Sequence, residues 1–182
     1  MKFTISKTEI VKALSSTLGV VEKRQALPIL SNILLSVDEN NLSITATDLE
    51  SEVKTNCIPT NVESTGSTTA PAKKLNELCR LLPDGSEVSI FLNGDKLSVE
   101  SGSGKYSIST LPSEDFPVFD VVSENIEFTI LGSVLRNLIS KTSFAMGNQD
   151  WRHYLNGMFI SVEDKNITCL LYTSPSPRDF QV

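Results

Sequence analysis

The sequence lacks any apolar run approaching the ~20 residues needed to cross a bilayer. Lys7 interrupts what would have to be the apolar core of a secretory signal, so none is expected and the chain reads as cytoplasmic, with no membrane partner. Cysteine is scarce and odd in number: Cys57, Cys79 and Cys169 lie far apart, which suits reduced thiols acting as small buried hydrophobes. With one histidine, His153, and no Cys-x-x-Cys, a structural zinc site is excluded, and no metal or cofactor is expected. No nucleophile stands beside a base, so an enzyme is not expected. An excess of basic residues is also missing: 16 Lys and Arg against 22 Asp and Glu give a net charge of −6, unlike an ordinary nucleic-acid binder.

The charge is, however, segregated. Residues 1–30 carry a balance of +3, residues 71–82 carry +2 and residues 131–155 carry +2, which leaves −13 for the remainder. The basic segments are those with helical periodicity, and the acidic remainder alternates like strands. A cationic helical surface on an anionic body attracts a polyanion to one side and repels it elsewhere. The plainer reading is that solvated helix faces are simply rich in lysine.

Ser6-Lys7-Thr8-Glu9 reads as a capping box opening a helix with apolar positions Ile10, Val11, Leu14 and Leu18, stopped by Gly19. A second helix starts near Pro71 and buries Leu75, Leu78, Cys79 and Leu82. Strand-like runs cover 33–37, 42–47, 52–58, 87–92, 96–101 and 105–110, joined by hairpin turns such as Asn93-Gly94-Asp95. The fold class is α+β, mainly antiparallel sheet with two helices per domain.

An internal repeat organises the chain. A shift of 125 residues lays Phe3-Thr4-Ile5 on Phe128-Thr129-Ile130, Ile10 on Leu135, Leu14 on Ile139, and Ile33–Val37 on Met158–Val162. A complete first domain is therefore expected over 1–125 and a second copy over 126–170, with residues 111–125 as the linker. The second copy then gives way to Ser174-Pro175-Ser176-Pro177, where two prolines cannot continue a central strand. Residues 171–182 are read as a non-native tail on a truncated second copy.

Met1-Lys2-Phe3-Thr4, Leu27-Pro28-Ile29-Leu30, Thr47-Asp48-Leu49-Glu50, Asp115-Phe116-Pro117 and Tyr154-Leu155-Asn156-Gly157 resemble, in order and spacing, the bacterial sliding clamp family, the β subunit of DNA polymerase III. The resemblance covers residues 1 to about 170. It implies a DNA clamp fold of three repeated domains, two chains closing head-to-tail into a ring whose helices face duplex DNA. It implies a non-catalytic processivity factor for DNA replication, with sequence-independent double-stranded DNA, DNA polymerase III and clamp-loader subunits as partners.

By the same resemblance, Arg24, Gln149, Arg152, His153 and Tyr154 would be DNA-binding, with Lys73, like Lys12 and Arg80, read as a longer-range contributor to the DNA-facing charge. Arg24 and Gln149 also occupy equivalent places under the 125-residue shift. The subunit interface would use Lys74, Lys96, Lys105, Tyr106 and Ile108, the last two on one exposed strand face. Leu155 would belong to the partner-peptide cleft. Two other readings stay open: an inert protein-interaction repeat module, and a metal-dependent hydrolase using Asp48, Glu50 and Glu52 on one strand face.

Overall fold

A computed structural model describes residues 1–21, 27–119, 128–147, 150–152, 155–163 and 166–170. The chain forms two compact units, Met1–Val121 and Val122–Val182. The tail over 171–182 lies outside the described residues.

In the first unit, strand β1 (Lys2–Ser6) runs directly into helix α1 (Lys7–Thr17). Ser6 is extended and its hydroxyl accepts the Glu9 amide at 3.3 Å, which caps an otherwise unpaired donor. Helix α1 buries Ile10, Ala13, Leu14 and Thr17. Val11 and Leu18, expected on that stripe, are only partly buried at its margins. The helix ends at Leu18, whose amide reaches the Leu14 carbonyl. Strands β2 (Asn32–Val37), β3 (Leu42–Thr47), β4 (Glu52–Cys57), β5 (Asn61–Ser64) and β6 (Gly66–Pro71) lead to helix α2 (Ala72–Leu81). Strands β7 (Glu87–Asn93), β8 (Lys96–Ser101) and β9 (Gly104–Ser109) complete the unit.

Two antiparallel sheets result, ordered β5-β1-β7-β8-β9 and β4-β3-β2-β6. Helix α1 packs on β3 and β4, α2 touches β6, and the helices pack on each other. One apolar core joins both sheets and both helices, with Phe3, Ile5, Ile10, Leu14, Ile33, Leu35, Ile44, Leu75, Ile90 and Leu97 fully buried.

Strands β5 and β6 do not show in the apolar pattern. β6 reads Gly-Ser-Thr-Thr-Ala-Pro, with no large apolar side chain, yet Thr68, Thr69 and Ala70 are buried. The Thr69 hydroxyl supplies the cohesion: it accepts from the Asn32 side-chain amide at 2.9 Å and donates to the Leu111 carbonyl at 2.9 Å. This corrects the linker expectation as well. Leu111 bridges to Thr69, and Phe116, 4% exposed, is buried, so the stretch from 111 to at least 116 belongs to the first unit.

The second unit contains helix α3 (Gly132–Thr142) and the hairpin of β10 (Phe159–Glu163) and β11 (Asn166–Leu170). Helix α3 is α1 displaced by 125 residues at both ends. The pairs Phe159↔Leu170 through Val162↔Ile167 repeat, at the same displacement, Leu34↔Thr45 through Val37↔Leu42. The repeat therefore extends to hydrogen-bond register. Burial differs. Ile10, Leu14 and Leu35 are fully buried, whereas their counterparts Leu135, Ile139 and Ile160 are intermediate, 40% and 46% exposed. Among the described residues of the second unit, the helix and the hairpin have no counterpart of the second sheet that closes the core of the first unit. Among the described residues no helix is long and apolar enough to cross a membrane.

Candidate nucleic-acid interface

Helix α2 is cut sharply by its sequence into two faces. Ala72, Leu75, Asn76 and Cys79 are buried, while Lys73, Lys74, Glu77 and Arg80 are exposed. Lys73 and Arg80 are seven residues apart and share one side of the helix. Helix α1 contributes exposed Lys12, Ser15 and Ser16. Arg80 donates to the Ser15 hydroxyl at 3.2 Å, which joins the outer surfaces of the two helices. The first unit thus presents Lys12, Lys73, Lys74 and Arg80 on its helical surface.

Two other cations of the basic N-terminal segment are taken up internally. Lys2 pairs with Glu63 at 2.8 Å and Lys7 with Asp84 at 2.7 Å. The Lys7 hydrogen bond, reinforced by its charge, holds the Asp84 carboxyl below the usual carboxylate range. Net segment charge therefore overstates the field available to a ligand.

In the second unit, Arg136 and Lys141 are exposed on α3. Asn156 accepts the Asp150 amide at 3.0 Å and donates to the Asp150 carbonyl at 2.9 Å. Gly147 donates to the Leu155 carbonyl at 2.8 Å, and Leu155 is half-buried. Arg152 donates from Nη2 to Asp150 Oδ2 at 3.0 Å and from Nε to Oδ1 at 3.2 Å. The Arg152 amide adds a third bond at 2.9 Å, and together these donors hold the Asp150 carboxyl below its ordinary range. Arg152 also lies 5.7 Å from the centroid of the Trp151 ring. Trp151 is 83% exposed, and no motif singles it out; its adjacency to Arg152 was the available signal. Arg24, Gln149, His153 and Tyr154 lie outside the described residues.

Of the residues assigned to subunit contact, Lys105, Tyr106 and Ile108 lie on β9, an edge strand of the five-stranded sheet, Lys96 opens the neighbouring β8, and Lys74 lies apart in sequence on α2. Tyr106 is 46% exposed, and its ring covers Gly104, where a Cβ would come within 3.0 Å of it. Ile108 does not share that exposure. It is 8% exposed and belongs to the core, because β9 closes the sheet edge over Leu97 and Val99. The expected two-residue apolar face is thus reduced to Tyr106. Lys105 faces Glu100 across the β8–β9 pair at 3.1 Å, and Lys96 and Lys74 are exposed.

The carboxylates proposed for a metal do not share a strand face. Asp48 and Glu50 lie in the β3–β4 turn, where the Asp48 carboxylate is occupied by the amides of Glu50 and Ser51. Among the described residues no group of three or more His, Cys, Asp or Glu is arranged to hold a metal ion.

Comparison with known proteins adds an independent line. The family model for the DNA polymerase III beta subunit, N-terminal domain, matches residues 1–120. The beta sliding clamp of Vibrio cholerae is 42% identical over 163 residues, covering 90% of this chain and 44% of that protein. The beta sliding clamp of Proteus mirabilis is 43% identical over 167 residues, 92% of this chain and 46% of that one. The crystal structure of the DNA polymerase III subunit beta from Pseudomonas aeruginosa superposes with a TM-score of 0.84 at 42% identity, over 88% of this chain and 43% of that chain. The chain spans less than half the length of the curated relatives it matches. With the repeat, the two-sheet architecture and the family match agreeing, the chain belongs to the DNA polymerase III beta-subunit family of sliding clamps.

Proposed function

We propose that the protein is a DNA sliding clamp, a non-catalytic replication processivity factor that encircles duplex DNA and tethers DNA polymerase III. The observation that carries this reading is the recurrence of one helix and one hairpin register at a 125-residue displacement. Both copies of the helix-bearing surface offer cations: Lys12, Lys73 and Arg80 in the first, Arg136 and Lys141 in the second. A lining of separated lysines and arginines attracts phosphates without reading bases, so the ring holds DNA by topology and slides. Tethered to it, a polymerase keeps a high effective concentration at the primer end.

Within this reading, the repeats are domains 1–125 and 126–170 of a longer cytoplasmic protein. Lys73 contributes to the lining, with Arg24, Gln149, Arg152, His153 and Tyr154 at the DNA. Arg152 reaches a phosphate by exchanging its Asp150 partner. A head-to-tail homodimer forms through Lys74, Lys96, Lys105 and Tyr106, with Ile108 supporting the strand from the core side. Leu155 contributes to a cleft for polymerase and clamp-loader peptides.

The decisive experiment loads the full-length gene product, with its loader, onto nicked circular duplex DNA and then linearises the DNA. Retention on circles and loss from linear ends supports the clamp. Equal retention on both indicates an ordinary DNA binder, and association with neither indicates a protein-interaction module.

A further inference from the structure

The turn between β3 and β4 contains a residue that a turn alone does not call for. Thr47↔Glu52 is the last pair of the hairpin, and inside it Leu49 has φ of 76°. A Cβ disfavours that left-handed conformation, and glycine or asparagine takes it readily. Local hydrogen bonds fix it nonetheless. Asp48 Oδ1 accepts the amides of Glu50 at 3.0 Å and Ser51 at 2.6 Å. The Thr47 hydroxyl accepts the Leu49 amide at 3.1 Å and donates to the Ser51 carbonyl at 2.9 Å.

Leu49 and Thr47 line one small cavity together with Pro117, Val118 and Phe119. At the other end of the turn, Glu52 Oε2 accepts the Phe119 amide at 3.3 Å. The segment over 117–119 thereby meets this one turn at two places, across the cavity it shares with Leu49 and through the hydrogen bond to Glu52. Val118 and Phe119 are 62% and 45% exposed, so the core that holds Phe116 does not hold them.

We propose that the β3–β4 turn is a clasp for the strap over 117–119, and that Leu49 keeps its strained backbone because its side chain holds that strap. The clasp fixes the path by which the chain leaves the first unit. It is independent of whether the protein encircles DNA. Strained residues persist where the surroundings over-determine them and the geometry serves a purpose.

A clasp and an imperfect turn residue respond oppositely to Leu49→Gly. As a mere turn residue, glycine relieves the strain and leaves position 119 untouched. As a clasp, glycine frees the strap. Amide exchange of the 182-residue chain, followed residue by residue by NMR, separates the two. The expected result is that Leu49→Gly speeds exchange of the Phe119 amide about tenfold, while Ala46 and Val53 in the hairpin keep their rates. Glu52→Ala, which leaves the turn's own hydrogen bonds intact, is expected to do the same, and Glu52→Gln, which retains an acceptor, to do so less. A Phe119 rate that is unchanged in Glu52→Ala, or unchanged or slower in Leu49→Gly, overturns the proposal.

Discussion

Lys7, the first residue of α1, donates its ammonium to the main-chain carbonyl of Leu82, the residue that ends α2. A helix C-terminus leaves carbonyls without intrahelical donors and carries partial negative charge, so a cation there is doubly favoured. The Lys7 side chain is only 13% exposed, which limits screening. Lys7→Met keeps the aliphatic stem and removes the donor, and is expected to cost about 1–2 kcal/mol in urea unfolding. An unchanged midpoint would show that water replaces the ammonium without loss.

The neighbouring Asp84 should matter far less at neutral pH, since its side chain is fully exposed. Its signature lies in the pH dependence. The Lys7 hydrogen bond and charge depress the folded-state carboxyl below the usual carboxylate range. The stabilisation is thus present above the unfolded value and is lost as pH falls through the lower folded one. Stability curves of wild type and Asp84→Asn should differ slightly at neutral pH and converge at the acid end. A difference that widened with acid would contradict the Lys7–Asp84 assignment.

The repeat gives a matched pair for core energetics. Leu14 is fully buried in α1, and Ile139 stands at the same place in α3 but is 40% exposed. Leu14→Ala should destabilise the first unit by about 2–5 kcal/mol, the usual range for a buried truncation. Ile139→Ala should cost well under about 1 kcal/mol in this chain, because it removes little buried apolar area. Amide exchange in β3 and β11 reports the two units separately. In the full-length gene product the two costs are expected to become similar.

Thiol reactivity should follow burial. Desolvation pushes Cys79 up to about 12, and desolvation followed by the Glu9 charge pushes Cys57 up to about 11. Raising the pH from 7 to 9 should therefore not activate either thiol toward iodoacetamide. Cys169 is only partly buried and should be alkylated first. Mass spectrometry should find one modified cysteine in the native chain and three in urea. Early labelling of Cys79 would mean that α2 opens from the core.

Periodicity exposed the helices and most strands because large apolar side chains do the packing there: Ile10, Leu14 and Leu75 face inward as their spacing requires. It failed at β6, where threonine hydroxyls and an Asn32 amide replace apolar contact, an arrangement invisible to hydrophobic pattern. It also misjudged Ile108, since alternation alone cannot tell which face of an edge strand is covered. Charge counting located the helical surface but could not foresee that Lys2 and Lys7 are matched to Glu63 and Asp84, because those partners come from distant sequence. Trp151 passed unmarked because one exposed aromatic has no period. The strongest legible feature was the 125-residue displacement, since side-chain spacing and strand register are two consequences of one duplicated backbone.

The helical surface and the sheet edge should respond differently to the removal of a single cation. Lys73 is exposed on α2, whereas Lys105 on β9 is paired with Glu100 of the neighbouring β8. Removing one cation that neutralises a DNA phosphate lowers the slope of log K against log salt by about 0.9, on any sequence. In the full-length protein, Lys73→Ala should therefore reduce the salt dependence of duplex binding by up to about one unit without altering sequence preference. Lys105→Ala should leave that slope intact and weaken self-association in sedimentation equilibrium. If Lys105→Ala changed the salt slope and Lys73→Ala did not, the DNA-facing surface would be the sheet edge rather than the helices.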